Sequence, residues 1–364
     1  MTDIFLAPQQ YIQREGVLAE SGKYLQPFGR RPLILGDPLV LSIVRPALED
    51  PLAVAGLTPS FVLFGEECNR SEVARLMEIV RKESLDFIVG TGGGKAIDTS
   101  RMLAARLNLP LVTIPTSAAT CSAASAVAVI YEKGIRQETV NGKGADLALV
   151  DTAILARAPA RLFAAGMGDA LSKWYEGKIN YDQIEGPDLS VQGAMNLSIL
   201  LKEAILQWGE EAIGNVRAQK NSEAVEKIVE ISILLTAVIS GLGGSKFRNA
   251  VAHALMYGFT VLPQVHQNLH GEMVAFGIVV QLCLENNERE LKVILPFFAH
   301  LGLPLTIKEL GLANAEDPLF QEGLRRTCAQ SSSVHHMPCP VNEKNLYQAI
   351  CEADERARAF KKNL

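Results

Sequence analysis

The sequence predicts an α/β domain built on a largely parallel sheet, followed by an all-helical domain. Two observations carry this. Up to Asp151, short apolar runs alternate with stretches whose apolar residues recur at helical spacing, the pattern of strands covered by helices on both faces. Beyond it strand signals stop, and Ala, Leu, Glu and Lys dominate. The boundary falls near residues 151–160, giving domains 1–155 and 156–364, with Pro159 suited to an early helical position.

Taken in order, Ile4-Phe5-Leu6 and Tyr11-Ile12 read as short strands, with Pro8 between them where an edge or turn tolerates it. A helix follows Gly16. Pro32-Leu33-Ile34-Leu35-Gly36 is a buried strand that runs into Asp37, and 39–48 is a helix. Strand 61–64, helix 71–81, strand 85–89, helix 99–107 and strand 111–114 continue the alternation to Pro115. Strands at 127–131 and 145–150 follow, with Lys133-Gly134 and Asn141-Gly142 marking turns. The helical part reads as 161–165, 170–180, 192–207, 222–242, 249–259, 272–285, 291–298, 318–329, 343–353 and a charged tail from Glu355.

Composition narrows the function classes. Of 364 residues, 48% are hydrophobic and 21% charged, which describes an ordered soluble chain. A net charge of −5, with no basic run interleaved with aromatics, argues against a nucleic-acid partner. Six scattered cysteines without a C-x-x-C pair fit a reducing compartment. There is no basic, then apolar, signal segment at the start, and stretches such as 276–282 are too short to cross a bilayer. A cytoplasmic protein without membrane attachment is expected.

The most informative stretch is Phe87-Ile88-Val89-Gly90-Thr91-Gly92-Gly93-Gly94-Lys95-Ala96-Ile97-Asp98. A strand ends in three glycines and a helix begins behind them. Such a turn packs closely, or it offers backbone N–H groups to a phosphate or pyrophosphate. In the helical part, Asp169 follows Gly166-Met167-Gly168 at an expected helix start, as an N-cap or as a carboxylate opening onto a cavity. His253 lies on an apolar helical face, and His270 stands where a new helix should begin. One carboxylate and two imidazoles could bind a divalent metal with a position left open, or serve separate structural roles.

In this order, Gly92-Gly93-Gly94-Lys95 with Asp98, Ile114-Pro115-Thr116, Gly168-Asp169, His253 and His270-Gly271-Glu272 resemble the iron-containing, metal-dependent alcohol dehydrogenase superfamily. The resemblance spans almost the whole chain. Within the superfamily the chain looks like the glycerol dehydrogenase group, and most like the bacterial hydroxycarboxylate dehydrogenase branch beside it. The resemblance implies a Rossmann-like N-terminal domain and an all-helical C-terminal domain, the dehydroquinate synthase-like fold, with the active site in a cleft between them. It implies Asp169, His253 and His270 as ligands of one divalent metal, zinc as in glycerol dehydrogenases, with iron or nickel compatible with the same donors. Gly92, Gly93, Gly94, Lys95 and Asp98 match the cofactor loop. Thr116, Ser117, Thr120, Ser125, Val127 and Tyr131 match residues along the cofactor's path. Asp37 corresponds to the acidic residue that bonds a ribose diol and repels a 2′-phosphate, favouring NAD over NADP; alone, it equally fits an Asx turn before Pro38.

Two departures from the family pattern bear on substrate. Lys173 occupies the place of a fourth ligand histidine found in other members, so a three-ligand site is implied. Lys173 could reach a substrate carboxylate, or pair with Asp169 on the same helix face. Cys121 replaces the aspartate that bonds polyol hydroxyls in glycerol dehydrogenases, and a thiol is a weak partner for a hydroxyl. Thr120-Cys121 and Leu171-Ser172-Lys173-Trp174-Tyr175-Glu176 look like the hydroxycarboxylate branch. A second histidine near the nicotinamide, common in relatives, is missing around Met256, so no protein base is named. Arg248 could meet an anionic substrate or solvent, His335-His336 could reach the cleft or lie in a loop, and His266 ranks below His270. The expected activity is NAD-linked, metal-dependent interconversion of a small secondary alcohol, a 2-hydroxy acid or vicinal diol such as glycerol, with its ketone by hydride transfer. The alternatives are glycerol dehydrogenase proper and a sugar-phosphate cyclase resembling dehydroquinate synthase. A homo-oligomer is expected.

Overall fold

The computed structural model describes residues 4, 8–245, 247–312 and 317–362. Of the first proposed strand, Phe5 and Leu6 lie outside the described residues. The strands are β1 (Gln10–Arg14), β2 (Pro32–Gly36), β3 (Ser60–Leu63), β4 (Phe87–Gly92), β5 (Leu111–Pro115), β6 (Val127–Glu132), β7 (Ile135–Asn141) and β8 (Leu147–Asp151). Interleaved with them are α1 (Ser21–Leu25), α2 (Pro38–Val54), α3 (Arg70–Glu83), α4 (Gly94–Leu107) and α5 (Thr152–Ala156).

Six strands form one parallel sheet in the order β1-β8-β5-β4-β2-β3. Successive side chains of a strand point to opposite faces, and two cores result. Ile34, Val89, Val112 and Leu149 pack under Val44, Leu48 and Leu52 of α2. Leu33, Leu35, Ile88 and Leu111 pack under Leu76 and Val80 of α3 and Leu103 of α4. Strands covered on both faces have no polar face to expose, which is why their sequences read as unbroken apolar runs. The remaining pair, β6 and β7, is an antiparallel hairpin. The sequence marked its turn at Lys133-Gly134 but not β7, whose Ile-Arg-Gln-Glu-Thr-Val-Asn lacks an apolar run.

The helical elements are α6 (Ala160–Asp182), α7 (Leu189–Arg217), α8 (Glu223–Glu230), α9 (Thr236–Gly243), α10 (Val251–Phe259), α11 (His270–Leu284), α12 (Glu288–Leu301), α13 (Pro318–Thr327) and α14 (Glu343–Lys361). The chain forms two compact units, one of Phe5–Ala158 with Asn215–Gly241, the other chiefly of Pro159–Gly214 and Leu242–Leu364. Composition alone places Asn215–Gly241 with the helical part. Its residues instead bond to the α/β unit: Gln13 Nε2 donates to the Glu226 carbonyl at 2.8 Å, and Asn221 Nδ2 to Thr152 Oγ1 at 3.1 Å.

The expectation that a helix starts at Asp169 is corrected. α6 runs unbroken through Gly166 and Gly168, so Asp169 is mid-helix and caps nothing. These glycines do not interrupt the helix, and Gly168 lets a neighbour approach. A Cβ on Gly168 would stand 2.7 Å from the Gly271 carbonyl oxygen, and one on Gly271 only 1.8 Å from that of Ala165. Farther along α11, a Cβ on Gly277 would meet Ala252 Cα at 2.6 Å. Helix α11 is thus in near-backbone contact with α6 on one side and α10 on the other, and it is buried from Gly271 to Cys283.

Candidate active site

Those two crossings bring three side chains together. Asp169 comes from the middle of α6, His253 from the first turn of α10 and His270 from the first residue of α11. One ligand atom from each lies within 4.8 Å of the others. Asp169 Oδ1 is 3.6 Å from His253 Nε2 and 3.4 Å from His270 Nε2. Tetrahedral coordination with bonds near 2.0–2.1 Å spaces ligand atoms by about 3.3 Å, close to both carboxylate–imidazole separations. Asp169 Oδ1 is also buried without a hydrogen-bond partner. An orphaned, anionic buried oxygen beside two imidazole nitrogens is costly unless something cationic shares it, and the residues fit a divalent ion.

The electrostatics agree. Burial opposes ionisation of Asp169, but the charges of Lys173 and His270 hold its carboxyl well below the usual carboxylate range. Burial lowers the proton affinity of His253, yet the Glu176 and Asp169 carboxylates together outweigh it and raise it above an ordinary imidazole. Glu176 is lowered against its own burial by His253 and by backbone N–H groups. Lys173, half-buried, donates to Ser172 Oγ at 3.2 Å and is the strongest charge acting on Asp169.

The glycine loop is a separate construction within the α/β unit. Gly92 has φ +110°, a conformation that side chains resist, and α4 starts at Gly94 with Gly93 as its cap and no side chain across its N–H groups. A Cβ on Gly93 would meet nothing within 4 Å, so the backbone there faces open space. Thr116 N–H donates to the Gly92 carbonyl at 3.2 Å. The Lys95 ammonium lies 5.4 Å from the centre of the Tyr131 ring. Asp98 is buried beneath the loop that carries Thr120 and Cys121: it accepts from Ser122 Oγ at 2.6 Å and from Val129 N–H at 3.0 Å. Ser125 Oγ accepts from Val127 N–H at 3.2 Å. Ser117 is buried and Cys121 half-buried. Asp37 caps α2 through Oδ1, which accepts from Val40 N–H at 2.9 Å; this is the Asx-type contact, and it uses one of the two carboxylate oxygens.

Other candidates fall elsewhere. His266 Nε2 pairs with the Thr260 carbonyl at 2.7 Å and is outside the three-residue group. His335 pairs with the carbonyls of Cys328 and Ala329, and His336 Nδ1 with that of Asn249 at 3.0 Å. Arg248 Nε donates to the Gly244 carbonyl at 3.0 Å. Three residues that the sequence did not single out matter here. Glu176 backs His253; Tyr257 has its ring centre 5.8 Å from that of His253 and 6.5 Å from that of His270; and the fully buried Arg101 donates to the Ser122 carbonyl under the Cys121 loop. Only Glu176 left a signal, a carboxylate seven residues after Asp169 and so on the same helical face.

Residues 8–152 match the family model described as iron-containing alcohol dehydrogenase. The chain is 34% identical over 362 residues to glycerol dehydrogenase of Pseudomonas putida, covering 97% of this chain and 98% of that protein. It is 31% identical over 292 residues to hydroxycarboxylate dehydrogenase A of Escherichia coli K12, covering 79% and 80%. The crystal structure of glycerol dehydrogenase from Schizosaccharomyces pombe superposes with a TM-score of 0.89 at 28% identity, covering 99% of this chain and 92% of that one. No helix among the described residues is long and apolar enough to cross a membrane.

Proposed function

The chain belongs to the iron-containing alcohol dehydrogenase superfamily, in its glycerol dehydrogenase-like group, and on that footing we propose that it is an NAD-linked, metal-assisted oxidoreductase of a small alcohol or diol such as glycerol. The observation that carries this is the meeting of Asp169, His253 and His270 around an unpartnered carboxylate oxygen. A divalent metal supplies Lewis acidity at such a site, and a nicotinamide supplies the hydride acceptor.

The chain's own residues do the rest. Asp169 Oδ1, His253 Nε2 and His270 Nε2 would hold the metal, and a set of three would leave room for substrate oxygen. Their mixed N/O character suits zinc first, then iron or nickel. The open N-terminus of α4 and the bare Gly93 backbone suit a pyrophosphate. The second oxygen of Asp37, not used in capping, suits a ribose diol and disfavours a 2′-phosphate, which supports NAD over NADP. Thr116, Ser117, Thr120, Ser125, Val127 and Tyr131 complete the cofactor's path in this reading. The six cysteines form no disulfide among the described residues, which supports a reducing, cytoplasmic setting.

Lys173 refines the substrate. Its ammonium acts on Asp169 from one helical turn away, which supports a role toward a carboxylate adjoining the reacting carbon. With Cys121 in place of an acidic polyol contact, 2-hydroxy acids become the favoured substrates beside vicinal diols. After metal reconstitution, NADH formation from diols and 2-hydroxy acids tests both levels. Sustained turnover with NAD is expected for at least one of these classes, and none with either would refute the activity. Replacing Lys173 with methionine removes a charge-assisted hydrogen bond, so KM for hydroxy acids should rise about tenfold or more while diol KM stays within about twofold. Equal effects on both classes would refute the role of Lys173.

A further inference from the structure

We propose that Glu176 is a positioning residue of the metal centre, which fixes the tautomer and aim of the His253 ring before any metal arrives. The proposal rests on the metal-binding reading of Asp169, His253 and His270. Glu176 lies two helical turns after Asp169 on α6, so one helix face presents a ligand at one level and a carboxylate behind the next ligand at another. Its side chain is only 2% exposed. Oε2 stands 2.5 Å from His253 Nδ1, while Oε1 accepts from the N–H groups of Ala250 at 2.6 Å and His253 at 2.9 Å.

These three contacts do two things. An ionised carboxylate only accepts, so Nδ1 of His253 carries a proton, and in the neutral ring Nε2 keeps its lone pair on the Asp169 side. The same carboxylate satisfies N–H groups at the start of α10 that would otherwise be orphaned, because Ala250 at the helix cap has no side-chain acceptor of its own. Asn249, just before it, sits at φ +60°. The carbonyls of this turn are held from other directions. Asn180 Nδ2 and His336 Nδ1 both meet the Asn249 carbonyl, at 3.1 and 3.0 Å, and Ser333 Oγ donates to the Ala250 carbonyl at 2.9 Å. The start of α10 is therefore tied on both its donor and its acceptor groups, and Glu176 is the tie that also touches the ligand ring. Such outer contacts raise ligand basicity and orient the ring.

Glu176→Gln keeps the size and one acceptor oxygen but cannot receive the Nδ1 proton as a carboxylate does. Zinc affinity, measured by competition with a chromophoric chelator, should fall about 10–100-fold in E176Q while stoichiometry stays at one ion per chain. In the zinc-loaded wild type, a proton on His253 Nδ1 should give a strongly downfield NMR resonance, lost in E176Q. If E176Q binds zinc as tightly as wild type while Asp169→Ala binds none, the positioning role is overturned and the metal reading stands. A wild-type chain that takes up no zinc overturns both. Absence of the downfield resonance in zinc-loaded wild type also overturns the role, without requiring any variant to fold.

Discussion

Replacing Gly271 with alanine is expected to cost about 3 kcal/mol of folding stability and to abolish tight metal binding. The added methyl would stand 1.8 Å from the Ala165 carbonyl oxygen, and its next neighbours are the Ala165 carbonyl carbon and Cα. All three are backbone atoms within a long helix, so no flexible side chain can yield. Helix α11 must move away from α6, and that motion separates His270, beside Gly271, from Asp169, beside Gly168. Gly214 supplies the contrast. It lies within α7, and a Cβ there would meet nothing within 4 Å. Gly214→Ala should therefore stabilise the protein by about 0.5–1 kcal/mol. Urea unfolding of both variants checks the two signs, and zinc stoichiometry of G271A checks the coupling. A G271A protein as stable as wild type and still metal-loaded would contradict the crossing described here.

The second large effect is expected at Asp169. Asp169→Asn keeps the shape but removes the anionic ligand, and the loss of Lewis-acid assistance, worth several kcal/mol, corresponds to a fall in turnover on the order of a thousandfold. The same change should remove metal-dependent stabilisation. At a free zinc concentration one hundred times its dissociation constant, the wild type gains about 2.7 kcal/mol, and a chelator should reverse that gain. D169N should show neither the gain nor the reversal in thermal melts. An unchanged rate in D169N, or a zinc-dependent shift equal to that of wild type, would refute the ligand assignment.

Much of this was legible in the chain because the informative residues report local physics. The strands of the parallel sheet announce themselves through apolar runs, and the turn at the end of β4 through its three glycines, of which Gly92 takes a φ of +110° that side chains resist. What was not legible depended on long-range contact. Gly166 and Gly168 look like a helix break, since glycine weakens helices locally. Only the approach of α11, more than a hundred residues later, shows that Gly168 serves a crossing. β7 is polar because it pairs in a hairpin outside the main core. Asp98 stands out by its place in the motif, but that its carboxylate accepts from Ser122 and Val129 is visible only in the fold. Glu176 was visible only as a carboxylate on the helical face of Asp169, and its meaning appears once α10 is packed against α6.

The most direct test is an anomalous-scattering map from crystals of the zinc-loaded protein. The account predicts one peak per chain in the helical unit, about 2.0–2.2 Å from Asp169 Oδ1, His253 Nε2 and His270 Nε2 together. Zinc bound elsewhere, or no peak among these three side chains at saturating metal, would contradict it.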